Sequence, residues 1–317
     1  MTESLYLSGW RYRAVVLSVV LSSFAYLGFS LLAGWQEVSG AVAKVGGLGI
    51  AIALLMSLAN YGLRFLRWQG YLSALGHSIH WVPSLNIYLS GFALTTTPGK
   101  AGEALRGVLL KPLGVPYPKS FAAFFSERLS DLLAVLLLTF LGLSLYPDAG
   151  PVIFAGVVLV LAGFFLLSQR RLVERLLRAV PDKHGKLIGL ARQLLHVLLE
   201  AQCCHRLGML FGATILSVLA WGAEALAFDL ILRWMGLEVP LAFAVFVYAV
   251  SMLAGAFSFM PGGLGGAEAV MVALLMWKGV PSADAVAATV LIRLTTLWFA
   301  VGIGVICMSS QRKASSL

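Results

Sequence analysis

The sequence predicts an all-α polytopic membrane protein, with six transmembrane helices and two re-entrant helical hairpins that form an internal inverted repeat. Three observations carry that prediction. Of 317 residues, 60% are hydrophobic and only 12% are charged, against about 45–50% and roughly 25% in a soluble domain. Several uncharged runs approach or exceed the ~20 residues that an α-helix needs to cross the hydrocarbon core. Two further apolar stretches are interrupted by Pro and clustered Gly, in a chain with 33 Gly and 11 Pro. So little charge cannot cover a water-soluble surface of this size, which excludes a cytosolic enzyme, a nucleic-acid binder and a disordered chain. The mean hydropathy of +0.90 agrees.

The predicted spans follow in order. Ala14–Trp35 is free of charge, and Val45–Leu63 runs into Arg64, Arg67 and Trp68. Leu132–Tyr146 is strongly apolar and must begin near Ser120 to reach full length; Pro151–Ser168 follows the turn Pro147–Pro151. Leu207–Ile231 contains Glu224 and Asp229, and Ala283–Met308 contains Arg293. Between them, residues 84–111 are broken around Pro98, Gly99, Lys100, Gly102 and Glu103, and residues 241–278 around Pro261, Gly262, Gly263, Gly265 and Gly266. Pro and Gly break helices, and irregular backbone at membrane depth persists only inside protein or along a wet cavity. Each stretch therefore reads as a hairpin.

The net charge of +9 reflects orientation. Taking Arg11 and Arg13 as cytoplasmic, the loop Gln36–Lys44 and the turn Pro147–Pro151 fall outside. Arg64 and Arg67, Lys111 and Lys119, the basic stretch 169–206, and Arg312 and Lys313 all fall inside, as the positive-inside rule requires. Both termini are expected in the cytoplasm. Within 169–206, Leu172, Leu176, Leu177 and Val180 recur at helical spacing among arginines, a solvated orienting loop or a basic amphipathic segment that gathers anionic headgroups at the inner interface. Cys203, Cys204 and Cys307 give no disulfide framework, and the adjacent side chains of Cys203-Cys204-His205 do not readily converge on a metal. No cleavable signal peptide is expected behind Arg11 and Arg13. No cofactor is expected, and no nucleotide-binding or nucleophile motif is present.

The repeat itself is visible as sequence. Glu103 set on Glu268 registers Glu103–Leu132 with residues 268–297 without gaps, with 12 identities over 30 positions, including Gly114-Val115-Pro116 on Gly279-Val280-Pro281 and Arg128-Leu129 on Arg293-Leu294. Pro98-Gly99 corresponds to Pro261-Gly262 with two extra residues in the second copy. Three predicted spans separate the hairpins, so the second copy is inverted, an arrangement that in transporters sets the binding site near the midplane between the repeats. Repeat one covers about 45–146, and repeat two about 207–308.

A charge at bilayer depth is a functional candidate. Each repeat has a Glu after its break and, at the same interval in both copies, an Arg in the following span: Glu103 with Arg128, and Glu268 with Arg293. These are either structural clasps or contacts for an anionic substrate, whose phosphate suits a bidentate guanidinium. Repeat one adds Lys100 at its break, Arg106 on the face of Glu103, and Glu127 with Asp131 one turn apart. Arg64 and Arg67 read as interfacial anchors or the lining of a cytoplasmic mouth. Glu224 and Asp229 have no assigned partner and could relay protons.

The blocks Thr97–Arg106, Gly114-Val115-Pro116 and Glu127–Asp131, followed by Pro261–Glu268, Gly279-Val280-Pro281 and Arg293, resemble the lysylphosphatidylglycerol synthase transmembrane-domain family, also called flippase-like or UPF0104. The resemblance covers nearly the whole chain. It implies translocation of an anionic phospholipid or polyprenyl-linked glycolipid between leaflets of the cytoplasmic membrane. The fused synthases carry an aminoacyl-transferase domain after the membrane part; here the sequence reaches Leu317 soon after the last span, so no synthesis, and no enzyme activity, is expected. The alternatives are an ion- or proton-coupled carrier of a small anion, and a non-transporting subunit that partners a glycosyltransferase or lipid synthase. Membrane lipids, and no nucleic acid, are the expected partners.

Overall fold

The computed structural model describes residues 28, 35–95, 106–143, 150–180, 186–258 and 260–314. The predicted span Ala14–Trp35 and the break at Pro98, Gly99, Lys100, Gly102 and Glu103 lie almost entirely outside the described residues. Every regular element among those described is helical. Among the described residues, three helices are long and apolar enough to cross a membrane: Gln36–Ala74, Leu207–Trp234 and Ser282–Ser310.

The first long helix, α1 (Trp35–Ala74), is divided at Gly46, whose φ of 68° is non-helical. The expected outer loop Gln36–Lys44 is therefore helical, and Val38, Ala41 and Val45 on one of its faces are buried. The span also continues past Leu63 as far as Ala74. Hydropathy falls at Arg64, but a helix stops only where its backbone does. That stop is Gly76 (φ 83°), where Gly76 N–H bonds Ser73 O and His77 N–H bonds Leu72 O, the paired bonds of a left-handed glycine cap.

After a short link come α2 (Trp81–Ser90), a 3-10 turn (Gly91–Leu94) and α3 (Arg106–Leu110). The helix α4 (Tyr117–Leu143) starts where its expected length required, and α5 covers Gly150–Ser168. The basic stretch forms two helices, α6 (Arg170–Ala179) and α7 (Lys186–Ala201), and a 3-10 turn at Gln202–His205. On α6, Leu172 and Leu176 are exposed beside the arginines, while Val173 is buried. Next, α8 (Leu207–Trp234) leads to α9 (Leu241–Phe257), the break, and α10 (Gly266–Trp277). The last rod is α11 (Ser282–Arg293), a π-turn (Leu294–Trp298) and α12 (Phe299–Ala314).

The same turns recur in the two halves. The cap at Gly76 returns in the second half at Gly236, with bonds from Gly236 to Arg233 and from Leu237 to Leu232. The cap at Gly114, with Val115 N–H on Leu110 O, returns at Gly279, with Val280 N–H on Leu275 O. Long helices α1 and α8 pack antiparallel. Gly49 meets Trp234, Asn60 Nδ2 donates to Ala220 O at 2.8 Å, Arg67 donates to Ser217 Oγ, and Gly70 meets Met209.

The halves cross twice: α2 and its 3-10 turn pack on α12, and α9 packs on α4. A Cβ at Gly304 on α12 would overlap the backbone of Phe92 and Ala93, and a Cβ at Gly142 on α4 would overlap Phe246 on α9. Glycine is thus required at both crossings. Around the break, α9 and α10 fold back on each other, with a Cβ at Gly263 only 3.0 Å from Gly255 Cα. Their 17 and 12 residues reach roughly 26 and 18 Å, short of the ~30 Å core. Two apolar clusters hold the bundle: one around Phe228, Phe243 and Tyr248, the other around Trp68, Tyr71, Tyr88 and Phe92.

Candidate functional site

Where the two halves meet lies a cavity of about 320 Å³. Three helices each contribute residues one turn apart on one face: Tyr61 and Arg64 from α1, Arg128 and Asp131 from α4, Trp221 and Glu224 from α8. The second hairpin supplies Tyr248, Met252, Gly262 and Gly263, and the last rod supplies Arg293 and Thr296. One flank is apolar, with Leu132, Val135 and Leu253 leading to Phe257 and Met260, which are 68% and 48% exposed. The cavity lining therefore combines charged groups with apolar ones, of which Phe257 and Met260 are exposed.

Asp131 is the hub of the charged groups. Its Oδ1 accepts from Arg67 Nη1 at 2.7 Å and from Trp221 Nε1 at 3.0 Å. Its Oδ2 faces Arg128 Nη2 at 3.1 Å and Arg64 Nη2 at 3.5 Å. Behind it, Arg67 Nη2 lies 3.7 Å from Glu127 Oε1, and both side chains are wholly buried. Arg106 Nη1 donates to Glu127 Oε2 at 2.8 Å, with its guanidinium 4.5 Å from the Tyr88 ring centre and 5.9 Å from that of Trp68. Arg64 lies over Trp221 at 5.6 Å. A buried charge costs several kcal/mol without a partner, and this network supplies one to each of these groups.

In the second half, Arg293 Nε donates to Glu268 Oε1 at 2.6 Å and Nη2 to Gly262 O at 3.1 Å. Glu268 Oε2 accepts the Gly265 N–H at 2.7 Å, so one carboxylate both caps α10 and holds the arginine. Glu224 accepts from Tyr248 OH at 2.5 Å. Tyr61 OH bridges the halves by donating to Thr296 O at 2.6 Å.

Measured against the sequence, the structure brings Arg128 and Arg293 to the cavity, with Glu268 behind Arg293 as expected. Lys100 and Glu103 lie outside the described residues. Arg106 does not line the cavity; Glu127 and the Tyr88 face hold it within the bundle. Arg64 and Arg67 are not interfacial anchors: the continuation of α1 carries them into the protein, where they are 7% and 1% exposed. Asp229 is paired with Arg233 on its own helix at 2.7 Å, whereas Glu224 lines the cavity. Tyr61, Trp221, Tyr248 and Thr296 went unrecognised. Their signal was positional, since Tyr61 and Trp221 stand one helical turn before Arg64 and Glu224.

The turn that precedes α8 is a separate cluster. Cys203 Sγ donates to Glu200 O at 3.0 Å and lies 4.0 Å from Cys204 Sγ, and His205 Nε2 is 3.2 Å from Ser126 Oγ. The hydrogen bond from Cys204 lowers the Cys203 thiol to about 7, and the same bond raises Cys204. Burial lowers His205 to about 4.

The family model described as the lysylphosphatidylglycerol synthase TM region matches residues 15–304. The chain belongs to that family. A UPF0104 membrane protein of Methanothermobacter thermautotrophicus is 25% identical over 324 residues, covering 93% of this chain and 94% of the relative. A UPF0104 membrane protein of Pyrococcus horikoshii is 26% identical over 298 residues, covering 83% and 87%. This is an all-helical membrane protein.

Proposed function

We propose that this member of the family is a lipid translocase, moving an anionic phospholipid or polyprenyl-phosphate glycolipid between leaflets of the cytoplasmic membrane without altering it chemically. One observation carries the reading: the cavity between the halves joins three guanidiniums, Arg64, Arg128 and Arg293, to an apolar side ending at the exposed Phe257 and Met260. That is the shape of an amphiphile, a phosphate headgroup with tails left in lipid. In this reading the chain has six spans and two opposed re-entrant hairpins, with both termini cytoplasmic. Antiparallel packing of α1 and α8, recurrent glycine caps and the shortness of α9 and α10 support it.

Arg128 and Arg293 contact phosphate, and Glu268 holds Arg293 ready. A carrier of a small soluble anion has no use for the apolar flank, which favours a lipid. Reconstitution tests the choice. Vesicles containing the purified chain should move a headgroup-labelled anionic phospholipid between leaflets while taking up no radiolabelled phosphate. Arg128→Gln, correctly folded, should transfer at the rate of empty vesicles, and Arg293→Gln roughly 30-fold more slowly than wild type. Phosphate uptake without lipid transfer would instead identify the small-anion carrier, and wild-type transfer by both variants would refute the site. Copurification of a stoichiometric glycosyltransferase or lipid synthase, with no transfer by the isolated chain, would make it a partner subunit.

A further inference from the structure

We infer that Asp131 is a built-in competitor for the phosphate of the cargo, occupying the Arg64–Arg128 receptor when no cargo is bound. The inference rests on the reading of the cavity as an anion site, and it assigns that site a resident anion. The two oxygens of Asp131 are divided in duty. Oδ1 is anchored by hydrogen bonds from Arg67, wholly buried, and from the Trp221 indole. Oδ2 is different: it lies at ion-pair distance from both Arg64 and Arg128, and among the described residues no hydrogen bond reaches it. The residue is only 6% exposed and its surroundings form the cavity wall.

A buried carboxylate oxygen held by charge alone is an incomplete arrangement, since charge-assisted hydrogen bonds are the stronger form. A phosphate has more oxygens than Oδ2 offers, and guanidiniums bind it bidentately. Arg64, over Trp221 at 5.6 Å, and Arg128, over Phe124 at 5.5 Å, could turn their donors from Oδ2 to the incoming oxyanion. Asp131 would remain anchored through Oδ1 to Arg67 and Trp221. Binding and release then exchange one anion for another at these two guanidiniums. Asp131 is thus a positioning residue that limits how tightly cargo is held. Cargo bound less tightly in the ground state leaves faster.

The sign of this effect distinguishes it from a structural role. In phosphatidylcholine nanodiscs, the protein is titrated with inorganic phosphate and, separately, with rising fractions of phosphatidylglycerol. Asp131→Asn should bind about tenfold more tightly, and Arg64→Gln and Arg128→Gln about tenfold more weakly. In the transfer assay, Asp131→Asn should lower the half-saturating lipid fraction together with the maximal rate. Weaker or unchanged binding by a folded Asp131→Asn protein would overturn the inference, as would no binding of either probe.

Should that variant not fold, wild-type protein with ¹³C-labelled aspartate decides. Phosphate should shift a carboxylate infrared band as Oδ2 loses its guanidiniums, and an unshifted spectrum overturns the inference. Phosphate binding with the expected signs but no response to phosphatidylglycerol keeps Asp131 in its role and retires the lipid cargo. Lipid transfer with weakened Asp131→Asn binding does the reverse.

Discussion

Two regions of the molecule share a backbone plan and differ in what fills it. In the first half Arg67, Arg106, Glu127 and Asp131 are buried and joined by ion pairs. The second half is aligned on the Gly236 cap for Arg67 and on the Gly279 cap for the others. At the corresponding places stand Ala227, Met271, Ile292 and Thr296. These are buried too, and the Thr296 hydroxyl is satisfied within its own helix by Ile292 O at 2.6 Å. The backbone arrangement therefore does not need the ions. Apolar residues hold it equally well, as they often do when they replace buried ion pairs. What the ions add in the first half is a buried support for Asp131, which faces Arg64 and Arg128 at the cavity wall, while the second half brings Arg293 and Glu224 to it.

The contrast can be broken most severely by removing a single partner. Arg67→Met takes one buried guanidinium from both Asp131 and Glu127, leaving them Arg64, Arg128 and Arg106, and should destabilise the protein by about 3–5 kcal/mol, read as a large drop in the thermal midpoint in detergent. Transplanting the second half's solution, with Arg67→Ala, Arg106→Met, Glu127→Ile and Asp131→Thr together, should restore most of that stability while transfer stays abolished. A quadruple variant less stable than Arg67→Met would show that the ions hold the fold after all.

A smaller loss is expected at Arg293. Arg293→Gln keeps a donor near Glu268 and Gly262, so stability should change little. The transfer rate should nevertheless fall roughly 30-fold, the equivalent of about 2 kcal/mol. A rate within twofold of wild type would remove the second half from the site.

The crossings sharpen the likeness of the halves rather than their difference. Gly142→Ala and Gly304→Ala each push a methyl into the opposite hairpin arm and should cost about 1–3 kcal/mol each. Similar losses in thermal stability support equivalent crossings; a loss at only one of them argues against.

The mildest test lies outside the spans. Alkylation of Cys203 should speed up as pH rises through about 7, where its thiolate forms, while Cys204, raised by the same bond, stays unlabelled. His205 is neutral at that pH, so the bond to Ser126 persists, and transfer should be insensitive to the label. A labelling midpoint near 9 would mean that the Cys204 bond is absent.

Much of the fold was legible because its determinants are local. Apolar length located α4, α5, α8 and the last rod to within a few residues, and Pro with Gly marked the break between α9 and α10. The block beginning at Glu103 announced the duplication because it runs without gaps. Its upstream part stayed hidden: the interval from the Gly76 cap to the Gly236 cap is shorter than that from Gly114 to Gly279, so no single register aligns both.

The site was half legible. Arg128, Arg293 and Glu268 were visible as charges within apolar runs. Arg64 and Arg67 were misjudged because they follow an apolar run, which is also where membrane anchors stand. Their partners on α4 come from far along the chain, and that is a tertiary fact. Yet Asn60, Arg64, Arg67 and Tyr71 form a polar stripe at helical spacing, with no break before Gly76, and that stripe was the available sign of a buried face.

The account stands on cargo entering the cavity between the two halves. A phosphatidylglycerol analogue with a photoreactive group on its headgroup, cross-linked in vesicles and mapped by peptide sequencing, tests this most directly. Adducts should fall on the peptides around Trp221 and around Met252–Gly263 together, and Arg293→Gln should diminish both. Adducts confined to outward-facing residues such as Phe154 and Phe165 would contradict it.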